Sequence, residues 1–406
     1  MLKCIAVADL RIGMYIHEFC GAWMDHPFWR SKFLLQTEKD LQRIRASSIG
    51  ELWIDVSKGL DVAAGVASAS HAEVEAKVDE QLLAAAASVP LPTSSALEEE
   101  VRRAAQLCER SKAAVLDMFA DARMGQALQF EQAGELVEEI SASVLRHPNA
   151  LISLARLKNA DEYTYMHSVA VCALMIALAR QLGLGEDQVR DAGLAGLLHD
   201  IGKMSVPNEV LNKPGKLTDS EFACVRDHPE AGARMLLASG QVSAQVLDVC
   251  LHHHEKVDGS GYPHRLTAER ISLFARMGAI CDVYDAVTSN RPYKQGWDPA
   301  ESIRKMAEWQ GHFDATLFQA FVKTVGIYPT GSLVRLDSGR IGVVLEQQAN
   351  SLLTPRVKVF FSSKTQSQIA PEVVDLAKLA GRDKIVGRES AADWGFSNLD
   401  GLWSGL

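Results

Sequence analysis

The sequence lacks several features that would place it in particular protein classes. Its seven cysteines are scattered without a CxxC pair, which argues against a disulfide framework and predicts reduced thiols in the cytoplasm. No apolar run is long enough to cross a bilayer, because the nearest one, residues 169–178, is too short and is followed by Arg180. The N-terminus, Met1-Leu2-Lys3-Cys4, has no signal-peptide pattern. We therefore expect a cytoplasmic protein that does not act at a membrane.

Basic residues are in the minority as well. The 406 residues include 42 Lys and Arg against 51 Asp and Glu, which gives a net charge of −9. Extended binding to DNA or RNA needs a basic face, so the composition argues against a nucleic-acid partner of that kind. A small phosphorylated ligand stays compatible with the charge, because a local cluster of metals and basic side chains can outweigh it.

The N-terminal third divides into two predicted parts. Residues 1–61 are expected to form a small α/β domain, with strand-forming stretches at 30–35 and 51–56. Between the two stretches, Thr37 followed by Asp40 resembles a capping box that opens a short helix. Residues 62–96 are rich in Ala and Ser and contain two prolines, which predicts a flexible linker with at most one transient helix.

From Leu97 to about residue 330 the sequence pattern is helical. Residues 163–182 predict one long helix that ends at Gly183. Further on, residues 333–336 and 341–345 flank a turn and predict a β hairpin, with a third strand at 356–361. We therefore predict a mainly α protein, in which a helical domain at 97–330 separates the N-terminal α/β domain from a β-rich extension at 331–406.

The strongest motif is His199-Asp200-Ile201-Gly202-Lys203, which follows an apolar helix. At a helix end, neighbouring side chains can converge on a metal, and a carboxylate beside an imidazole can bridge two divalent ions. Gly202 allows a sharp turn there, and Lys203 adds a cation next to the metals. A surface His-Asp pair is the alternative, and it leaves the rest of the motif unexplained.

The second motif is a run of histidines. Seven of the twelve histidines fall between His167 and His264, and three of them are consecutive in His252-His253-His254-Glu255. The following stretch, 258–263 (DGSGYP), predicts a loop whose glycines allow backbone to approach a ligand closely. A polar turn with no ligand is the alternative interpretation.

Further candidates complete the set. His228 lies before Pro229, where a helix is expected to begin, and Asp282 lies on an apolar helix where an unpaired carboxylate would be unfavourable. Asp285 shares a helix face with Asp282, so one can bind metal while the other orients a ligand or caps the chain. His167 precedes the apolar run at 169–178 and could instead be a core histidine.

These motifs together resemble the HD-GYP branch of the HD phosphohydrolase superfamily, which degrades cyclic di-GMP in bacteria. The resemblance covers residues 140–330 and implies an HD-type helical bundle. Residues 1–61 resemble the uncharacterised domain that often precedes HD-GYP. The metal ligands that the resemblance implies are His167, His199, Asp200, His228, His253, His254 and Asp282.

The resemblance also implies roles around the substrate. Asp200 would bridge two metals and Lys203 would contact the scissile phosphate, which makes these two the expected catalytic residues. Arg291 and Lys294 would hold the other phosphate, and Tyr262 with Gly261 would shape the pocket. His252 lies outside the usual pair and is not assigned to the site.

Two positions depart from the family pattern. Some members bind a third metal through a glutamate four residues before the first histidine, where this chain has Tyr163. The adjacent Glu162 points elsewhere on a helix, so two metals are expected rather than three. Lys294 stands where arginine is common, which would remove one bidentate contact to phosphate.

The implied reaction is the hydrolysis of cyclic di-GMP to linear pGpG, with further cleavage to GMP left open. His and Asp ligands without thiolate fit iron or manganese, and zinc or nickel could replace them in vitro. The alternatives are a cyclic di-GMP receptor that barely hydrolyses its ligand, and another HD-type nucleotide phosphohydrolase. The N-terminal domain could bind a diguanylate cyclase or another signalling protein, sense a small molecule, or only pack against the catalytic part. A homodimer is compatible with the sequence.

Overall fold

The computed structural model describes residues 1–21, 28, 32–86, 97–157, 163–213, 217–240, 242–290, 296–348, 351–379 and 381–405. In these residues a small antiparallel sheet comes first, a helical body follows, and a second antiparallel sheet lies near the C-terminal end. The predicted fold class, mainly α with a small β-containing part at each end, is confirmed.

The N-terminal sheet is built from five short strands, and one helix packs on it. The strands are β1 (Leu2–Ala6), β2 (Tyr15–Phe19), β3 (Phe33–Leu34), β4 (Glu51–Asp55) and β5 (Ala69–Ser70), in the spatial order β3-β2-β4-β1-β5. Helix α1 (Glu38–Arg45) begins after Thr37, whose hydroxyl accepts the backbone N–H of Asp40 at 3.1 Å, as the capping pattern predicts. Buried Ile16, Leu52 and Ile44 belong to the core of this part.

The segment predicted as a flexible linker is in part a packed helix, which corrects that prediction. Helix α2 (His71–Ala86) occupies its centre, and Val78, Leu82 and Ala85 are buried in the core of the helical body. Arg388, near the C-terminal end, also lies 3.3 Å from Asp79 of α2. The helix therefore packs through one face, and its other described alanines, Ala72, Ala76 and Ala84, are exposed. Residues 87–96 lie outside the described part of the chain.

The helical body extends from residue 97 to residue 325. Its helices are α3 (Leu97–Arg123), α4 (Phe130–Arg146), α5 (Pro148–Ala155), α6 (Tyr163–Gln181), α7 (Glu186–Leu198), α8 (Asn208–Leu211), α9 (Asp219–Arg226), α10 (His228–Ala238), α11 (Ala244–His252), α12 (Leu273–Thr288), α13 (Pro299–Glu308) and α14 (Ala315–Val325). The helix predicted from residue 163 is present as α6, and Gly183 beyond it has a φ of +71°.

Two glycines allow the close helix contacts that position the site. A Cβ on Gly196 of α7 would lie 2.8 Å from the Cα of Cys172 in α6, so the backbones of these helices touch there. A Cβ on Gly202 would collide with the carbonyl of His228 and the backbone N of Gly232. The turn after α7 is therefore pressed directly against the start of α10. Through these contacts α6, α7 and α10 meet at one place.

The C-terminal sheet has more strands than the sequence predicted. Its strands are β6 (Leu333–Leu336), β7 (Arg340–Gln348), β8 (Ser351–Ser362), β9 (Ser367–Asp375) and β10 (Ile385–Arg388), in the order β10-β6-β7-β8-β9. The predicted hairpin corresponds to β6 and β7, and the predicted third strand lies within β8. The short helices α15 (Ala391–Trp394) and α16 (Asp400–Ser404) follow, and Trp403 is buried in the core of the helical body.

The described helices include none with the length and apolar character needed to cross a membrane.

Candidate metal centre

Helix ends supply most of the candidate ligands. His199 and Asp200 come directly after α7, His228 begins α10, and His253 and His254 come directly after α11. His167 and Asp282 lie inside α6 and α12 instead. The structure thus brings together all seven residues that the resemblance implies, from five helices.

The seven residues divide into two groups. One consists of Asp200, His228, His253 and His254, and the other of His167, His199 and Asp282. Within each group the candidate ligand atoms lie within 4.8 Å of one another. His167, His199, His228, His253 and Asp200 are each at most 1% exposed. Two adjacent groups of this composition fit two divalent metal ions.

The carboxylate of Asp200 faces both groups, one oxygen to each. Oδ1 lies 3.3 Å from His228 Nε2 and 3.7 Å from His253 Nε2. Oδ2 lies 3.5 Å from His167 Nε2 and 3.4 Å from His199 Nε2. This orientation is the one that a carboxylate bridging two metals requires.

Asp282 is the carboxylate of the second group. Its Oδ1 is 3.0 Å from His167 Nε2 and 3.8 Å from His199 Nε2. Its Oδ2 is 3.7 Å from His254 Nδ1, a ring of the first group. His167 Nε2 and His199 Nε2 therefore each lie within 3.8 Å of both aspartates.

Acceptors behind the rings determine which nitrogen faces the centre. The Nδ1–H groups of His199 and His228 donate to the carbonyls of Gly196 and Val225, at 2.8 Å and 2.7 Å. His253 Nδ1 donates to the carbonyl of Val249 at 3.0 Å. With Nδ1 protonated, the lone pair of a neutral imidazole is on Nε2, which points at the other candidate ligands.

His167 has a charged acceptor behind it instead of a carbonyl. Its Nδ1 donates to Asp285 Oδ2 at 2.6 Å, and both residues are buried. A carboxylate at this position orients the ring and makes Nε2 more basic. Of the two roles that the sequence left open for Asp282 and Asp285, the structure places Asp282 among the ligand atoms and Asp285 behind His167.

Several buried polar atoms at the centre make no hydrogen bond within the described part of the chain. They are His199 Nε2, Asp200 Oδ1 and His254 Nε2. Buried polar atoms are usually satisfied, and exceptions call for a physical explanation such as a bound ion. Atoms that can donate a lone pair and make no hydrogen bond in the described part of the chain fit a cation.

Burial and neighbouring charges shift the pKa values of the groups in the centre. Burial and the neighbouring rings of His199 and His228 lower the pKa of His253 to about 3. Burial also opposes the charged form of His199, but Asp200 and Asp282 outweigh it and raise the pKa of His199 to about 10. Burial likewise opposes ionisation of Asp200, and Lys203 and His199 overcome it, so its pKa is held well below the usual range.

Lys203 is placed at the edge of the centre. Its ammonium forms an ion pair with Asp200 Oδ2, and its side chain is 17% exposed. It is therefore next to the carboxylate that faces both groups and still within reach of a ligand. This is the position that the HDIGK motif predicted for a cation.

The loop at 258–262 closes over one side of the first group. Tyr262 stacks on the ring of His254, with 4.6 Å between centroids and 25° between planes. A Cβ on Gly261 would lie 2.6 Å from the carbonyl oxygen of His254 and against the backbone of the next two residues. Glycine at this position therefore lets the loop touch the chain that carries the ligands.

Arg226 is a residue near the centre that no motif indicated. Its guanidinium lies 4.4 Å from the centroid of the Tyr262 ring, so the tyrosine is sandwiched between Arg226 and His254. Arg226 is the last residue of α9, two positions before His228. Its contact with Tyr262 depends on how the loop folds onto the end of α9, so no local sequence pattern indicates it.

Some predicted positions lie outside the described residues. Arg291 and Lys294, expected to hold a phosphate, are among them, and so is Glu162. Tyr163 begins α6, and its backbone alone is described.

Comparisons with known proteins identify the family to which this chain belongs. A family model described as an HD domain matches residues 135–317, and one described as a domain of unknown function (DUF3391) matches residues 2–133. The cyclic di-GMP phosphodiesterase PA4108 of Pseudomonas aeruginosa is 63% identical over 407 residues, which span 100% of this chain and 96% of the relative. This chain is an HD-GYP protein with an N-terminal DUF3391 domain.

Other relatives match a shorter part of the chain. The cyclic di-GMP phosphodiesterase response regulator RpfG of Xanthomonas campestris is 36% identical over 50% of this chain and 57% of its own length. The 3'3'-cGAMP-specific phosphodiesterase 1 of Vibrio cholerae is 37% identical over 40% of this chain and 38% of its own length. Residues 318–406 of this HD-GYP protein lie beyond the ranges matched by the two family models.

Proposed function

We propose that this HD-GYP protein is a metal-dependent phosphodiesterase that hydrolyses cyclic di-GMP to linear pGpG. The observation that carries the proposal is the orientation of Asp200, with one carboxylate oxygen toward each of two histidine groups. The name of the relative that matches the whole chain supports the substrate. Iron or manganese is the proposed metal, because the ligands are imidazole and carboxylate without thiolate.

In this proposal one ion would be held by Asp200, His228, His253 and His254, and the other by Asp200, His167, His199 and Asp282. Two bound metals would supply a water of lowered pKa and neutralise charge on the phosphoryl oxygens. Hydrolysis adds the oxygen of one water to phosphorus and breaks the bond from phosphorus to the ribose 3′ oxygen. The products of this step are a 5′ phosphate and a 3′ hydroxyl on one linear molecule, pGpG.

The chain's own residues would bind and orient the substrate. Lys203 lies beside Asp200 and is partly exposed, so we assign it to the scissile phosphate, where its charge would stabilise the departing oxygen. Tyr262 covers His254 and would present its outer edge to a base or a phosphate. Arg291 and Lys294 remain our proposal for the second phosphate.

A 3'3'-cGAMP phosphodiesterase is the second candidate, because a relative with that specificity in its name is 37% identical over 165 residues, or 40% of this chain. The two substrates differ in one base and share the phosphodiester chemistry. The residues around the metals would therefore serve either one, and the base-binding surface would decide.

The test is a turnover assay on anaerobically purified full-length protein. We expect about two metals per chain, and pGpG from cyclic di-GMP with Mn²⁺ or Fe²⁺. Asp200→Asn should lose turnover and metal, while Asp227→Asn, a largely exposed carboxylate paired with Arg234, should keep both. Tight binding of cyclic di-GMP without product under every metal would instead favour a receptor. Faster cleavage of 3'3'-cGAMP would favour the second candidate.

We also propose that the protein works in the cytoplasm as a homodimer, and that the N-terminal domain binds a diguanylate cyclase or another signalling protein. That domain is joined to the helical body by the Glu18–Lys305 ion pair and by the 3.2 Å contact between Arg43 and Asp219. A partner bound to it would therefore act on a surface that already contacts the catalytic part.

A further inference from the structure

A second histidine pair lies beside the candidate metal centre and outside both of its groups. His252 is the last residue of α11, and His264 follows the loop that carries Tyr262. The two rings are 5.2 Å apart, and His252 Nε2 is 3.0 Å from His264 Nδ1. His252 is 15% exposed and His264 is 43% exposed, so the pair is reached from solvent.

Each ring has a carboxylate at its other nitrogen. His252 Nδ1 lies 2.7 Å from Asp248 Oδ1, and His264 Nε2 lies 3.6 Å from Glu230 Oε1. Asp248 is held in turn by the hydroxyl of Ser272. Metal-binding histidines commonly donate their second N–H to a carboxylate, which orients the ring and leaves the opposite lone pair for the metal.

The 3.0 Å contact between the two rings is a hydrogen bond, in which one imidazole donates an N–H to the lone pair of the other. A divalent metal ion can take the place of that proton, because each ring then presents a lone pair to the same point. The carboxylates on the far side of both rings favour a cation there electrostatically.

The distance between the nitrogens is close to the value that a metal needs. Two nitrogens bound to a tetrahedral zinc at about 2.05 Å lie about 3.3 Å from each other. The His252–His264 pair would have to separate by roughly 0.3 Å from its present distance to reach that value. His228 Nε2 and His253 Nε2, within the candidate centre, are already 3.3 Å apart.

We propose that His252 and His264 form a separate, solvent-accessible site for a divalent transition metal such as Zn²⁺, Ni²⁺ or Cu²⁺. Imidazole nitrogens suit these ions, and water would complete the coordination. His252 precedes His253, and His264 is two residues after Tyr262, so the ion would join the end of α11 to the loop over the candidate centre. A metal bound here would hold that loop in place.

The test counts Zn²⁺ bound to the full chain after equilibrium dialysis. We expect His252→Gln and His264→Gln each to bind one zinc fewer than the unsubstituted protein. His71→Gln is the matched control, because His71 is also partly exposed and lies 3.1 Å from a carboxylate, that of Glu75. Unlike His252 and His264, it has no second histidine ring beside it among the described residues. Equal zinc counts in all four proteins would overturn the proposal, as would a loss in only one of the two variants.

The same count in an Asp200→Asn background separates this site from the candidate centre. With the central metals weakened, the zinc at the histidine pair should stay, and His264→Gln should remove it. If Asp200→Asn binds no more zinc than the Asp200→Asn/His264→Gln double variant, the additional ion belongs to the centre and the proposal is wrong. Because the readout is metal content, it does not depend on whether cyclic di-GMP is the substrate.

Discussion

Replacement of Asp285 by asparagine should weaken metal binding without removing any ligand. Asp285 Oδ2 accepts the Nδ1–H of His167 at 2.6 Å, and Asp285 is 3% exposed. Asparagine keeps an acceptor oxygen of similar shape but loses the negative charge. His167 would keep its orientation, while its Nε2 would become a poorer ligand.

The expected size of the effect follows from the kind of hydrogen bond. A hydrogen bond to a charged group contributes about 1.5–3 kcal/mol, and a neutral one about 0.5–1.5 kcal/mol. The difference is on the order of 1.4 kcal/mol, which corresponds to about tenfold in metal affinity. Asp285→Ala would leave the Nδ1–H of His167 without this acceptor in a buried place, and a loss near 100-fold is expected, at the upper end for such partners.

The assay is a metal titration of the metal-free protein, combined with turnover at saturating metal. Two controls separate orientation of His167 from general damage to the fold. Ser289→Ala removes the 3.2 Å bond from the Ser289 hydroxyl to Asp285 Oδ1 and should have a smaller effect on affinity. Asp314→Asn changes a carboxylate that caps α14 and pairs with Arg276, so it should lower thermal stability and leave metal affinity unchanged.

Unchanged metal affinity in Asp285→Asn, with a lowered melting temperature of the metal-free protein, would refute this reasoning. That result would mean that Asp285 supports the packing of α12 and does not act on the ligand. Lost turnover that excess metal restores would agree with the prediction.

Three other predictions concern the surroundings of the centre. Arg226→Ala should raise KM severalfold with little change in kcat, because it removes the cation above the Tyr262 ring. Arg226→Lys should restore part of the lost affinity. An unchanged KM in both variants would exclude this role. Gly261→Ala should destabilise the protein by about 1–3 kcal/mol in denaturant unfolding, since its Cβ meets the carbonyl of His254, and an unaltered midpoint would contradict that. Because the pKa of His199 is raised to about 10 in the metal-free protein, metal must displace its proton at pH 7, so affinity should rise with pH up to that value. Calorimetry in buffers of different ionisation enthalpy should show about one proton released per chain from this group, and heat independent of the buffer would count against it.

The identity of the candidate ligands was predictable from the sequence, because their chemistry is rare and concentrated. Consecutive residues such as His199-Asp200 and His253-His254 are expensive to bury without a cation, so their presence beside apolar helices indicates metal. The caps and glycines that end helices, such as Gly183 after α6, are also local signals.

The behaviour of the predicted linker was not predictable in the same way. The Ala-rich stretch around α2 has no strong amphipathic pattern, and its helix is stable because Val78, Leu82 and Ala85 find a surface to pack on. Most helical stability in proteins comes from such tertiary packing and not from local propensity. The composition therefore predicted a flexible segment, whereas the helical body provides a surface on which α2 packs.

By itself, the sequence determined which side chains are candidate metal ligands and in what order they occur along the chain. Only the tertiary structure decided how they divide into two groups, which oxygen of Asp200 faces each group, and that Asp285 lies behind His167. It also decided that Arg226 covers Tyr262 and that His252 turns away from its neighbours toward His264. The physical reason is that the residue type alone fixes the chemistry of a side chain. Its role also depends on the direction in which the side chain points and on the residues brought near it from other helices.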